Sequence, residues 1–271
     1  MTKRSTMKVS LAVGLVMSAG TASAASFPRI PVRRCAQDAV VAGTVCLDRY
    51  EASVWRVPDP ATTNAILVRR IQLGVATRAD LTAGGATELG TAADDYAPCA
   101  GDGQSCANDI YAVSLPSVIP SAFITWFQAQ EACANAGKRL PTNAEWQVGA
   151  NGTPDPGPDN GTTDCNTFST FTVAPTGSRS GCVSARGAFD MVGNVYEWVA
   201  DWVPASTVCP GWGGFSNDNM CLSGASTTAH GPGALLRGGD FGHGTAAGPF
   251  TVSASFGPSV LGPSLGFRCA R

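Results

Sequence analysis

The sequence predicts a single α+β domain, rich in loops and stapled by disulfides. Three observations carry that reading. Ten cysteines, with no C-x-x-C pair and only two histidines beside them, point to disulfides over zinc. Two short helical patterns lie between residues 120 and 150. The chain beyond them is rich in Gly, Pro, Asn and Thr and is interrupted by short apolar runs, such as Phe168 to Val173 and Val195 to Trp202.

Residues 1–24 read as a secretory signal peptide. Lys3, Arg4 and Lys8 precede an apolar stretch from Val9 to Met17, and Ala22-Ser23-Ala24 offers a cleavage site. That stretch is too short to span a bilayer. The mature chain is therefore expected to be exported without a membrane span, whether periplasmic, on the cell surface or secreted. Residues 25–44 form a lead-in containing Pro and Arg. Val45 to Val54 alternates loosely and suits a strand. From Pro58 to Asp109 the weak periodicity predicts a long looped insertion with one short helix. Pro120-Ser121 then reads as a helix start; Phe123, Trp126, Phe127, Gln130 and Cys133 recur at helical spacing, and Gly137 ends the run. Thr142-Asn143-Ala144-Glu145 is a capping box that opens a second helix, with Trp146 and Val148 expected inward. No repeat divides the chain, so residues 45–271 are expected to form one domain.

Cysteine neighbours suggest the local pairs Cys35–Cys46, Cys99–Cys106, Cys165–Cys182 and Cys209–Cys221, leaving Cys133 with Cys269; sequence alone does not fix this connectivity. A Cys133–Cys269 bridge would stabilise by roughly 5 kcal/mol through the unfolded chain, as an upper figure. The net charge is -2, and loss of three signal-peptide cations makes it about -5 (15 basic against 20 acidic residues). No basic cluster or aromatic-basic stripe appears, which argues against nucleic acid and anionic membranes as partners.

Five segments in order resemble the formylglycine-generating enzyme, or sulfatase-modifying factor, family. They are Arg49-Tyr50-Glu51-Ala52-Ser53, Trp126 through Cys133, Gly137 through Trp146, Phe189-Asp190-Met191-Val192-Gly193-Asn194-Val195-Tyr196-Glu197-Trp198, and a block that opens with Leu236-Arg237-Gly238-Gly239 and closes with Leu265-Gly266-Phe267-Arg268-Cys269. The resemblance implies a C-type-lectin-like fold of the formylglycine-generating-enzyme type. It also implies structural Ca2+, held by the Asp190 and Glu197 carboxylates with the Gly193 and Val195 carbonyls, because hard oxygen ligands in a curled loop suit that ion. The alternative for those residues is that Glu197 accepts hydrogen bonds and Asp190 caps a turn. The family's enzyme places two cysteines after the Gly-Gly pair for copper binding and oxidation of a substrate cysteine. Here those positions are His243 and Gly248, neither of which supplies a thiolate. No H-E-x-x-H, G-x-S-x-G or P-loop replaces them, so no catalytic residue is expected.

The spacing of the C-terminal block resembles the variable region of diversity-generating retroelement proteins, which are binding proteins on this fold. Mutagenic copying of adenines in such an element does not yield Lys, Glu, Gln, Met or Trp, and all five are absent from Asp240 to Phe267. The resemblance implies a variable region over 236–268 on a rigid frame. Its display residues would be Asp240, Phe241, Gly242, His243, Ala246, Thr251, Ser253, Ser255, Phe256, Val260, Gly262 and Ser264, with Phe241, His243 and Phe256 as anchors for an unknown protein or glycan ligand. Two alternatives remain: a catalytic relative with altered chemistry, which an acid or second histidine near His243 would favour, and an undiversified structural or adhesive envelope protein.

Overall fold

The chain enters through a hairpin, β1 (Ala39–Ala42) and β2 (Val45–Asp48), turned at Gly43, whose φ of +63° suits glycine. The computed structural model describes residues 34–107, 109–228 and 231–271. The expected signal peptide lies outside the described residues.

The single strand expected over 45–54 is broken in two. β3 (Ala52–Arg56) belongs to a different sheet from β2. Glu51, between them, turns its carboxylate inward, where it accepts the Asn194 side-chain N–H at 2.5 Å and the Val195 backbone N–H at 3.2 Å. The insertion is also more ordered than expected. It holds α1 (Ala65–Gln72), α2 (Arg78–Ala83) and β4 (Thr87–Leu89). Thr77 and Asp80 cap α2 reciprocally, and Leu67, Ile71 and Leu81 bury against Trp55, Tyr111 and Val113. β5 (Ile110–Ser114) completes a three-stranded sheet in the order β4-β3-β5.

The next helix, α3 (Trp126–Asn135), starts later than Pro120-Ser121 indicated. Its cap is Thr125, paired with Gln128. Ser121 instead splices strands: its hydroxyl accepts the Val54 N–H at 2.8 Å and donates to the Leu89 carbonyl at 2.5 Å. The capping box of α4 (Asn143–Gly149) forms as expected, and Trp146 is fully buried. Val148 is not; it is 37% exposed, because residues two apart on a helix point to opposite sides.

The remaining strands are β6 (Tyr196–Pro204), β7 (Ser206–Val208), β8 (Met220–Cys221), β9 (Ser223–Ala225), β10 (Pro232–Arg237), β11 (Val252–Ser253) and β12 (Leu265–Phe267). Five of them make a sheet ordered β12-β6-β10-β11-β8. The two ends of the C-terminal block thus flank β6: Leu236 pairs with Trp198 on one side and Phe267 pairs with Trp198 on the other. Side chains from both sheets and from α3 share one core, built around Val54, Ile124, Trp198, Leu236 and Phe267. All five expected disulfides form, and Cys133–Cys269 ties α3 to the end of β12. No helix among the described residues is long and apolar enough to cross a membrane.

Candidate functional site

Two buried arginines hold the ends of the C-terminal block. Arg268 is fully buried and grips Glu197 with its Nε and Nη2 at 2.5 to 2.9 Å; its other N–H groups reach the Asp48 and Phe189 carbonyls. Glu197 also accepts the Trp146 indole N–H at 2.6 Å. Arg237 lies over the Trp146 ring at 4.5 Å and donates to the Gln147 side chain and the Pro249 carbonyl. Burial lowers its pKa to about 10. Glycines follow because nothing larger fits: Gly239 has φ of +81°, and a Cβ there would press on Ala247 at 2.6 Å.

The carboxylates expected to hold calcium have protein partners in this structure. Both Glu197 oxygens are taken by the Arg268 guanidinium, and one of them by Trp146 as well, so a cation at that carboxylate would face a fixed positive charge. Asp190 accepts the Gly177 N–H at 2.6 Å and caps a turn at φ of +56°. Burial raises its pKa to about 7. Glu51 is also lifted, by burial first and then by the Asp190 and Glu197 charges. Gly193, with φ of +73°, packs against the Asn166 carbonyl, and the Val195 N–H is held by Glu51. The Glu197 carboxylate thus serves Arg268 and Trp146, and the Asp190 carboxylate serves Gly177. Among the described residues no group of three or more His, Cys, Asp or Glu could hold a metal.

Most of the expected display residues do reach the surface, in two loops. In the first, Gly242 is exposed, and Phe241, His243 and Ala246 are half-buried. In the second, Ser255 and Phe256 are exposed, while Val260, Gly262 and Ser264 are half-buried. Three expectations fail. Thr251 is fully buried and donates to the Ala246 carbonyl at 2.7 Å. Ser253 is buried because β11 runs between β10 and β8, inside the sheet. Asp240 is 8% exposed and serves the loop's interior: its Oδ1 accepts the Gly242 N–H and the His243 Nδ1, each at 2.8 Å. Burial works to raise Asp240, yet its hydrogen bond with His243 leads the effects that hold its pKa below the usual carboxylate value.

His243 therefore sits in a relay that the sequence did not reveal. Its Nε2 is 3.2 Å from the Tyr196 hydroxyl, which accepts the Asn219 side-chain N–H at 3.3 Å. Burial pushes Tyr196 up to about 12. Gly248 has no room for a side chain. A Cβ on Gly248 would lie closer than 3.0 Å to Asp218 Oδ1, Cγ and Oδ2, so Asp218 fills the space a thiol would need. Two further neighbours escaped the sequence reading. Phe168 and Phe171 form an exposed edge-to-face pair at 4.6 Å, and Phe168 packs 3.7 Å from the Cβ direction of Gly244. Their apolar run is a loop whose N–H groups converge on Asp159.

Together these features define a disulfide-stapled α+β scaffold whose last strands are locked and whose intervening loops face solvent. The sulfatase-modifying factor enzyme 1-like domain matches residues 98–271, and the chain belongs to that family. With it goes the C-type-lectin-like fold. The chain is 30% identical over 176 residues to the formylglycine-generating enzyme of Streptomyces coelicolor, covering 56% of this chain and 52% of that one. It is 38% identical over 88 residues to the serine/threonine-protein kinase Pkn1 of Chlamydia trachomatis serovar L2, covering 31% of this chain and 14% of the kinase. The chain thus spans about half or less of the curated relatives it matches. Among solved structures it is similar to the Major Tropism Determinant U1 variant, at 20% identity and a TM-score of 0.45, over 86% of this chain and 52% of that chain.

Proposed function

We propose that the protein is an exported, non-catalytic ligand-binding protein that displays a variable C-terminal surface on its lectin-like frame. One observation carries the reading. The ends of the block are buried and multiply bonded through Arg237 and Arg268, whereas the loops around Gly242 and Ser255-Phe256 turn outward without contributing to the core. A frame of that kind tolerates change on the loops, because exposed substitutions alter stability by only about 0.5 kcal/mol each. The absence of a thiol at His243 and the closure of Gly248 by Asp218 argue against formylglycine chemistry. Five disulfides suit an oxidising compartment outside the cytosol.

The test combines loop replacement with ligand screening. Variants changed together at Gly242, Ala246, Ser255 and Phe256 should melt close to the parent and bind a different set of targets on protein and glycan arrays. Unfolding of such variants, or an unchanged set of targets, would count against display. A near-copy of the Leu236–Arg268 coding segment beside a reverse transcriptase gene, differing at adenines, would supply the source of variation. Its absence from the complete locus would favour the undiversified adhesive protein. The Asp240–His243–Tyr196 relay favours the catalytic alternative, since it places an acid on His243. Yet the relay ends at a buried tyrosine hydroxyl whose pKa is raised, which is a poor nucleophile. Loss of a measurable turnover in His243→Ala would support that alternative.

A further inference from the structure

A second acidic feature lies beneath the C-terminal block, away from the residues expected to bind calcium. Asp218, in the turn before β8, is 1% exposed. Its Oδ2 accepts the Phe250 N–H at 2.6 Å, but its Oδ1 is buried and has no hydrogen-bond partner. From the solvent side, exposed Asp155 reaches hydrogen-bonding range of the same carboxylate. The two carboxylates thus meet, Asp155 held by the Gly157 N–H and Asp218 by the Phe250 N–H, with Asp218 Oδ1 still unpartnered. Arg237 is the nearby cation. Its charge acts on Asp218, but its Nη2 is committed to Gln147 and Pro249 and its Nε has no acceptor. That guanidinium therefore faces Asp218 without bonding it.

We infer that Asp155 and Asp218 form a binding site for a divalent cation of the calcium type. The pair offers only hard oxygen ligands, which suits calcium and excludes soft metals. Asp218 is fixed in place by the Phe250 N–H, while Asp155 stands at the solvent edge, so an ion enters from outside and keeps water on its open positions. The location gives the ion a structural consequence. Asp218 backs Gly248 and Phe250, and Gly157, two residues after Asp155, packs against Thr245. A bound ion clamps the 153–159 loop to the underside of the display block. The site is independent of whether the block varies.

Terbium, a luminescent stand-in for calcium, tests the site on the intact chain in phosphate-free buffer above neutral pH. Trp212, whose indole donates to the Phe250 carbonyl at 3.2 Å, places a sensitiser close by. The expected result is saturable terbium emission on tryptophan excitation, displaced by Ca2+, lost in Asp155→Asn and Asp218→Asn, and retained in Asp190→Asn. Absence of saturable emission overturns the inference and leaves the pair sharing a proton. Emission that survives both pair substitutions, or that vanishes only in Asp190→Asn, overturns it too. Should Asp218→Asn fail to fold, the exposed Asp155→Asn variant decides alone.

Discussion

Placing a cysteine at position 248 tests the claim that Asp218 leaves no room there for a thiol. Gly248 carries no side chain because Asp218 occupies the place where one would begin: all three of its carboxyl atoms lie closer than 3.0 Å to a Cβ built there. The carboxylate has nowhere easy to go, since it is 1% exposed and holds the Phe250 N–H at 2.6 Å. Gly248→Cys must break that charge-assisted bond, which contributes about 1.5–3 kcal/mol, and must overpack a closed interior, which costs about 1–3 kcal/mol. The expected loss is about 3–5 kcal/mol, a large share of a typical domain's stability. Urea denaturation measures it directly through the midpoint at constant slope. Adding Asp218→Gly should return much of the loss, so the double-mutant cycle shows strong coupling. If Gly248→Cys alone stays within about 0.5 kcal/mol of the parent, the site was never closed and the reasoning fails. The same result would reopen the catalytic alternative, above all if His243→Cys/Gly248→Cys then bound copper.

Replacing both Cys133 and Cys269 with alanine should lower stability by up to about 5 kcal/mol, because the bridge closes a loop of 136 residues; reduction of the parent should move its urea midpoint the same way. Glu197→Gln should destabilise by about 3–5 kcal/mol, since it strips the partner from the fully buried Arg268; a change below about 1 kcal/mol would mean that the pair is not what holds β12 on β6. The hydrogen bonds from Arg139, despite partial burial, lower Glu145 to about 2. Its folded pKa is depressed, so its contribution is present above the unfolded value of 4.5 and is lost as pH falls toward 2. Melting curves of the parent and Glu145→Gln should therefore differ at neutral pH and converge in acid.

Legibility in the sequence followed locality. The α4 capping box, the Trp146 anchor and the four local cysteine pairs lie in short segments whose physics is self-contained, and they appear where the sequence placed them. Expectations failed where distant residues compete. Ser121 looked like a helix start because hydroxyls cap helices, but two strands far along the chain claim its hydroxyl. Thr251 and Ser253 looked suited to a surface because they are polar, yet β11 carries them into the sheet and hydrogen bonding makes their burial tolerable. The pairing of Glu197 with Arg268 gave no local signal either, because the two lie 71 residues apart. Asp218 gave no signal at all: its importance comes only from facing Gly248 and Asp155 across the fold.

The same distinction separates the block's frame from its loops. Its frame is secured by bonds that require particular side chains: a guanidinium on Glu197, another over Trp146, glycines against Met191 and Ala247. Its outward loops are secured by main-chain contacts instead. The Phe241 N–H reaches the Asn194 carbonyl, the Phe123 N–H the Gly262 carbonyl, the Tyr196 N–H the Ser264 carbonyl and the Ala234 N–H the Phe256 carbonyl. Those bonds persist whatever side chain the loop residue carries, because they use its backbone alone. Phe241, Phe256, Gly262 and Ser264 can therefore be exchanged while the loop path holds, whereas Asp240 cannot, since the turn to His243 is made by its carboxylate.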